Sequence, residues 1–422
     1  MRKNKVKKFR IVNEKVIIAT IDIGKNKNTG YWRRSNGVSI KPFEFNNNAE
    51  GFKVFWNRIW TAKVIHKVDN IIIGFESTGS YGEPLIHYLS NKSEKLSNNS
   101  VKLVQVNPMH TKRVKELNDN SPNKTDKKDP RVIADIIQLG HYLSLVIPKG
   151  AAAQLRRLTH CRERTIVDRT ALINRLQNLV YVIFPEFLNI MKGIRSKCSF
   201  HFLNHYPTPD DIINLGFEAL VIELQTISRG KLGFERARRL FDAAKNSVGI
   251  NEGRESILME IQHIINEVFL LNDFIGQIDK EMKHYLEKIP CGRYLLSIKG
   301  IKEVTVSGII GEVGNFEDFH NQKAIIKLAG LNLYEVSSGK HKGEMRISKR
   351  GRSLLRKILF FASINVIRNG GIMHDYYHRL ISNGMIRIKA LIAVSRKLLR
   401  LMFSMARKKA YYIHDYTLKP AA

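Results

Sequence analysis

Ten apolar residues, Ile257, Ile261, Ile264, Val268, Leu271, Ile275, Ile278, Met282, Tyr285 and Ile289, recur in alternating steps of four and three. Only a helix keeps such a series on one side, so the seam predicts a long helix whose apolar stripe must be covered. Glu, Lys, Asn and Gln fill the positions between. Leu172, Leu176, Leu179 and Ile183 show the same period over a shorter stretch. Two such segments in one chain allow an antiparallel hairpin within a helical bundle or pairing between chains, and heptads alone do not choose. Residues 151–290 are therefore expected to be a helical coiled-coil linker, with Pro207–Arg254 inserted as short helices and loops.

Residues 1–150 carry a different pattern. Val16–Asp22 and Ile71–Glu76 are apolar, β-branched runs of strand length, as buried strands are. Tyr31–Arg34 and Val38–Phe45 flank Asn36-Gly37, a strong hairpin signal. Ala49–Ile65 has helical spacing at Phe52, Phe55, Trp56 and Ile59. Pro84–Leu89 reads as a short helix, Val101–Val106 as a strand and Asp129–Leu145 as a helix. Hairpin strands followed by alternating strands and helices imply an α/β domain with a mixed sheet.

Four acids stand out in this domain. Asp22 and Glu76 fall at the ends of buried strands, and Asp126 and Asp129 are three residues apart, one helical turn. Carboxylates that converge repel one another unless a cation offsets them, and hard oxygen ligands suit Mg²⁺ in nucleases that grip one phosphate between two metals. Each acid alone has an ordinary reading: a turn at Asp22, a lysine partner for Glu76, a helix cap at Asp126. Four in this order, in a basic chain, favour a metal site.

The chain has 422 residues, 43% of them hydrophobic, and 70 Lys plus Arg against 38 Asp plus Glu, a net +32. A surplus of that size is expected to meet a polyanion. No apolar run approaches the length of a membrane span, and no signal-peptide pattern opens the chain. Cys161, Cys198 and Cys291 fit no zinc spacing and read as reduced thiols of a cytosolic protein. His201 and His205 lack the glutamate of a zinc hydrolase.

Residues 291–422 are expected to be mainly helical. From Pro290 onward, 24 Lys plus Arg stand against 8 Asp plus Glu, half of the total surplus. Ser338-Gly339 is surrounded by Lys340, Lys342, Arg346, Lys349, Arg350 and Arg352. A serine hydroxyl in that field is suited to attack on a phosphodiester, because cations stabilise the developing negative charge. A polar turn that binds phosphate is the plainer reading. Upstream, Leu295–Lys302, with Lys299 and Lys302, resembles a helix-hairpin-helix turn that meets DNA phosphate, or is an ordinary turn between helices.

At both ends the residues resemble the DEDD transposases of insertion-sequence family 110, including its 1111 group. The resemblance is carried by Ile21–Lys25, Glu76–Tyr81, Val106–Pro108 and Lys124–Asp129 in the first domain. In the last it is carried by Ser297–Ile301, the Phe319–Gly330 helix, Ala329–Leu331, Ser338-Gly339 and Ile347–Gly351. It implies a RuvC-like, ribonuclease-H-fold domain with Asp22, Glu76, Asp126 and Asp129 at an Mg²⁺ site, and a C-terminal transposase domain with Ser338 as nucleophile. Ser337 is the adjacent alternative in Ser-Ser-Gly. It further implies a covalent phosphoserine link to DNA, a noncoding bridge RNA paired with donor and target DNA, and nucleic-acid contacts that include Lys124. It also implies a site composite between protomers, within a dimer that becomes a tetramer in the synapse, and a prokaryotic, nucleoid-associated protein with no membrane contact. Pro130 and the turn Ile298–Lys302 depart from the usual family residues. A RuvC-like nuclease acting with water, of the junction-resolvase type, is the alternative, and a non-catalytic nucleic-acid scaffold is a third reading.

Overall fold

The computed structural model describes residues 12–76, 79–96, 100–119, 129–335, 343 and 345–413, leaving aside the side chains of 117–119. The chain divides into two compact units, Met1–Val146 and Ile147–Ala422.

The first unit is built on a six-stranded sheet in the order β3-β2-β1-β4-β5-β6. Strand β1 (Val16–Asp22) pairs antiparallel with β2 (Lys27–Arg34), which pairs with β3 (Phe43–Asn46). The hairpin turns at Asn36-Gly37, where Gly37 takes φ +89°, a conformation glycine adopts freely. The returning strand is shorter than expected because Pro42, with no N–H to donate, precedes it. Helix α1 (Ala49–Ile65), capped by the Asn48 side chain, leads into β4 (Asn70–Glu76), parallel to β1. Helix α2 (Glu83–Glu94) and β5 (Val101–Val106), parallel to β4, follow. Then come α3 (Pro108–Asp119), α4 (Asp129–Gln138) and β6 (Leu143–Ser144). Helix α4 is shorter than the expected Asp129–Leu145, since the chain turns at Gly140 with φ +73°.

Alternation along the strands splits the core in two. Ile17, Ala19, Ile21, Ile71, Ile73 and Phe75 pack under α1 and α2 with Phe52, Phe55, Leu85 and Leu89. Ile18, Ile72 and Val104 face the other side, against Val132, Ile133, Ile136 and Ile137 of α4. Helix α4 lies unusually close to β4: a Cβ at Gly74 would sit 2.1 Å from Ile137 Cδ1.

The second unit is helical. The apolar seam forms α11 (Arg254–Glu287), which packs along α5 (Gly150–Ile183), each of 34 residues. Arg162 to Asp279 and Arg175 to Glu260 rise on one helix as they fall on the other, so the pair is antiparallel within one chain. Ile261, Ile264, Val268, Ile275, Ile278 and Met282 are buried, as a covered stripe requires. Between them come α6 (Pro185–Ile190), α7 (Lys197–His205), α8 (Pro209–Leu215), α9 (Phe217–Ser228) and α10 (Phe234–Lys245). These close a core around Phe184, Phe187, Phe202, Leu224 and Leu240 at one end of the pair.

At the other end are α12 (Gly292–Leu296), α13 (Glu303–Val313) and α14 (Gln322–Leu328), the last much shorter than Phe319–Gly330. A two-stranded ribbon, β7 (Leu333–Tyr334) with β8 (Arg346–Ile347), precedes α15 (Ser353–Ile367), α16 (Gly371–Ser382) and α17 (Arg387–Lys408). Helix α13 packs on both α5 and α11. The stretches expected at 151–290 and 291–422 thus belong to one compact unit.

Candidate nucleic-acid-processing site

The strand register places the first two acids together. Ile21 pairs with Phe75 in the parallel β1–β4 ladder, so Asp22 and Glu76 are the next residues on neighbouring strands. Ile21 and Phe75 point to the α1 face. By alternation, Asp22 and Glu76 turn to the α4 face. There α4 begins at Asp129, and the Thr20 hydroxyl donates to the Pro130 carbonyl oxygen at 2.6 Å, tying that first turn to β1. Proline is tolerated because a first-turn N–H has no helical partner.

A lysine joins them. The Lys115 ammonium of α3 contacts the Asp129 carboxylate, with side chains 27% and 18% exposed. Glu76 titrates above its ordinary range, chiefly from burial; Lys115 opposes this and the Asp129 charge adds to it. Glu76 and Asp129 therefore sense one another, with a cation beside both. Among the described residues, no three His, Cys, Asp or Glu side chains stand close enough to hold a metal ion. Asp126 and Lys124 lie outside the described residues.

What these residues have in common with a divalent-cation site is the type of donor, not a closed ligand set among the described residues. Carboxylate oxygens from two adjacent strand ends and one helix start are the hard ligands that Mg²⁺ takes. The cation beside Asp129 in this structure is the Lys115 ammonium.

In the second unit the basic loop is fastened at its base. Gly330, with φ +67°, and Gly351 cross so tightly that a Cβ on Gly351 would lie 2.4 Å from both Gly330 N and Leu328 O. The Lys349 and Arg352 amides donate to the Gly330 and Leu328 carbonyls at 3.0 and 2.8 Å. Arg356 Nη1 donates to the Ala329 and Gly351 carbonyls, both at 3.0 Å. The two ends of the segment that carries Ser337 and Ser338 are thus held at one crossing. Ser337, Ser338, Lys340 and Lys342 themselves lie outside the described residues.

Arg346, Lys349 and Arg350 are exposed, and Lys349 takes φ +52° at the crossing. Arg352 turns inward. Its guanidinium donates to the Glu312 carbonyl oxygen, and burial together with nearby Arg156 lowers its pKa to about 10. It therefore anchors the loop to α13. The Glu312 carboxylate, 1% exposed, takes Arg156 Nη1 and His160 Nε2 of α5, each at 2.8 Å. Burial pushes this carboxyl up, but the His160 hydrogen bond and the Arg156 and Arg352 charges pull it below its usual range.

The turn Leu295–Lys302 joins α12 and α13. Ile298 and Ile301 are buried, Lys299 and Lys302 are exposed, and Gly300 has φ +88° against Asn365 and Asn369. A shallow cleft beside it is lined by Lys302, Thr305 and Arg368.

Sequence reasoning missed Lys115 and Glu312. Lys115 carries no local signal, since its partner is a helix away. Glu312 does: it is one acid in the apolar run Ile309-Ile-Gly-Glu-Val313, where a carboxylate must find partners.

Residues 19–185 match a family model for DEDD transposases of the IS110 type, described as a transposase. Residues 292–378 match another, described as the transposase IS116/IS110/IS902 family. Together with a mixed-sheet first unit and a helical second, these define an insertion-element transposase. An uncharacterised 44.8 kDa protein of insertion element IS116 from Streptomyces clavuligerus is 24% identical over 292 residues, 68% of this chain and 72% of the relative. A 42 kDa protein of IS900 from Mycobacterium paratuberculosis is 24% identical over 301 residues, 71% and 75% of the two chains. The transposase of IS1111A from Coxiella burnetii is 23% identical over 248 residues, 58% and 56%. The chain belongs to the IS110 family of transposases. No described helix is long and apolar enough to cross a membrane.

Proposed function

We propose that this transposase is an RNA-guided DNA recombinase that exchanges strands through a phosphoserine intermediate. The observation that supports the reading is that Asp22 and Glu76 end neighbouring strands of the sheet and that Glu76 senses the Asp129 charge at the start of α4. With Asp126 these acids would hold Mg²⁺, which when bound offsets charge on the scissile phosphate. The protein's own part begins with the Ser338 hydroxyl. Its oxygen bonds to phosphorus, the ester bond to the leaving DNA oxygen breaks, and the serine proton passes to that oxygen or to solvent. Lys340, Lys342, Arg346, Lys349 and Arg350 hold the phosphate in a positive field, and Arg352 holds the loop. The same reading assigns backbone-phosphate contacts to Lys299, Lys302 and Lys124. Exchange needs two DNA ends, which supports a dimer that becomes a tetramer in the synapse. Pairing between a bridge RNA and both DNAs supplies the sequence choice, and the antiparallel α5–α11 pair gives the chain its reach.

A denaturing gel for protein–DNA adducts tests the chemistry. Ser338→Ala is expected to abolish the adduct while nucleic-acid binding is retained. If adducts persist in Ser338→Ala but vanish in Ser337→Ala, the nucleophile is Ser337. If DNA is cleaved with no adduct in the unaltered protein, water is the nucleophile and the chain is a RuvC-like nuclease of the junction-resolvase type.

A further inference from the structure

Four cations crowd one patch of the second unit, away in sequence from the serine loop. Arg379 lies on α16 and Arg396, Lys397 and Arg400 on α17. Lys397 Nζ is 4.3 Å from the Tyr376 ring centroid and Arg379 Cζ is 5.6 Å from it. Arg396 and Arg400 are one turn apart on the same helix face. Among the described residues, no carboxylate lies within ion-pair distance of any of the four. Asp375 is near enough to bear on Lys397, but it is 77% exposed and pairs with His374. The Arg396 Nε is buried without a hydrogen-bond partner.

The crowding is electrostatically costly. Burial, then the Arg400 charge, lowers the Arg396 pKa; burial, then the Arg379 charge, lowers that of Lys397. Like charges held together by a fold are relieved by an anion placed among them.

A cleft of about 240 Å³ opens beside them, lined by Gln322, Lys397, Arg400, Ser404 and Tyr412 over an apolar floor that includes Leu401. Two cations, two hydroxyls and an amide, with no acid, suit a phosphodiester oxygen. The charge also extends beyond the cleft. Helix α17 carries seven Lys or Arg and no Asp or Glu in 22 residues. At about 1.5 Å per residue that row runs roughly 33 Å, which suits a long polyanion better than a small one.

We infer that α16 and α17 form a phosphate-binding track for duplex DNA, centred on Lys397 and Arg400 with Arg379 and Arg396 beside them. The choice of DNA over RNA rests on the transposase reading, since a transposase must grip the duplex that it cuts.

The test is duplex-DNA binding by the full chain, followed by fluorescence anisotropy across a salt series. Lys397→Gln with Arg400→Gln is expected to weaken binding at least tenfold. The slope of log affinity against log salt should fall by about 1 to 2, as phosphate contacts are lost. Lys397→Arg with Arg400→Lys should restore both. Should the double glutamine variant not fold, Arg400→Gln alone, at an exposed position, is expected to lower the slope by about 1. Unchanged affinity and slope in a variant that melts like the unaltered chain would overturn the track. Loss of single-stranded RNA binding with DNA binding intact would overturn the choice of DNA. The adduct gel with Ser338→Ala is read separately: adducts formed by a chain whose track variants bind normally leave the recombinase reading standing while this one fails.

Discussion

The Lys115 ammonium rests on the Asp129 carboxylate, on the sheet face toward which Asp22 and Glu76 turn. A lysine there takes part of the load that a divalent ion would carry. Lys115→Met is expected to destabilise the first unit by about 1–2 kcal/mol in EDTA, between the values for exposed and buried pairs. Added Mg²⁺ should recover more stability in the variant than in the unaltered protein. Thermal melts with and without Mg²⁺ read both effects; an equal Mg²⁺ response in the two chains removes the link between lysine and metal.

Glu76 gives a pH signature of definite sign. Its folded pKa lies above the ordinary 4.5. The stabilisation linked to it is therefore present below that value and lost as the pH rises through the folded pKa. In metal-free buffer, Glu76→Gln should match the unaltered protein near pH 4 and melt higher than it above pH 6. Melting temperature against pH for the two chains is the measurement, and parallel curves would refute it.

Glu312 has the opposite sign. Its carboxyl is held below 4.5, so its contribution is present above that value and lost as the pH falls through the folded pKa. Glu312→Gln is expected to cost about 3 kcal/mol at neutral pH, because Arg156 loses its buried partner. Urea unfolding should show that cost shrinking as the solution is acidified.

The glycine crossing predicts an effect on chemistry through shape. Gly351→Ala puts a methyl group 2.4 Å from two backbone atoms, so the crossing must open. Adduct yield is expected to fall at least tenfold together with a lower melting temperature. Ser338→Ala should lose the adduct without any loss of stability. Equal adduct yields for Gly351→Ala and the unaltered chain would show that the crossing does not position the loop.

How much of this was legible beforehand follows from which forces are local. Val16–Asp22 was readable to the residue from its apolar, β-branched run, and Val101–Val106 from three valines and a leucine in strand length, despite Lys102 and Gln105 within it. Ala49–Ile65 was equally plain from its spacing, and the structure adds the Asn48 cap before it. The seam announced α11, but its partner was open until the charge pairs with α5 fixed an antiparallel match. The end of α4 was misjudged because Gly140 stops the helix before its apolar pattern ends. Asp22 and Glu76 were named from their strand ends and Asp126 and Asp129 from their one-turn spacing, yet Lys115 and the partners of Glu312 were not, since those contacts join separate elements of the chain. Arg352 looked like any other loop cation, and only its contact with Glu312 shows that it faces inward.

The crossing of Gly330 and Gly351 also separates two kinds of heredity in this chain. Because both ends of the intervening segment are fixed by main-chain contacts and Arg356, that segment can change length or sequence without moving α14 or α15. Closing a longer loop between fixed ends costs only a few tenths of a kcal/mol for modest insertions. A longer or altered loop closed at this crossing would leave the flanking helical frame in place, and the two glycines mark where tolerance for such variation stops.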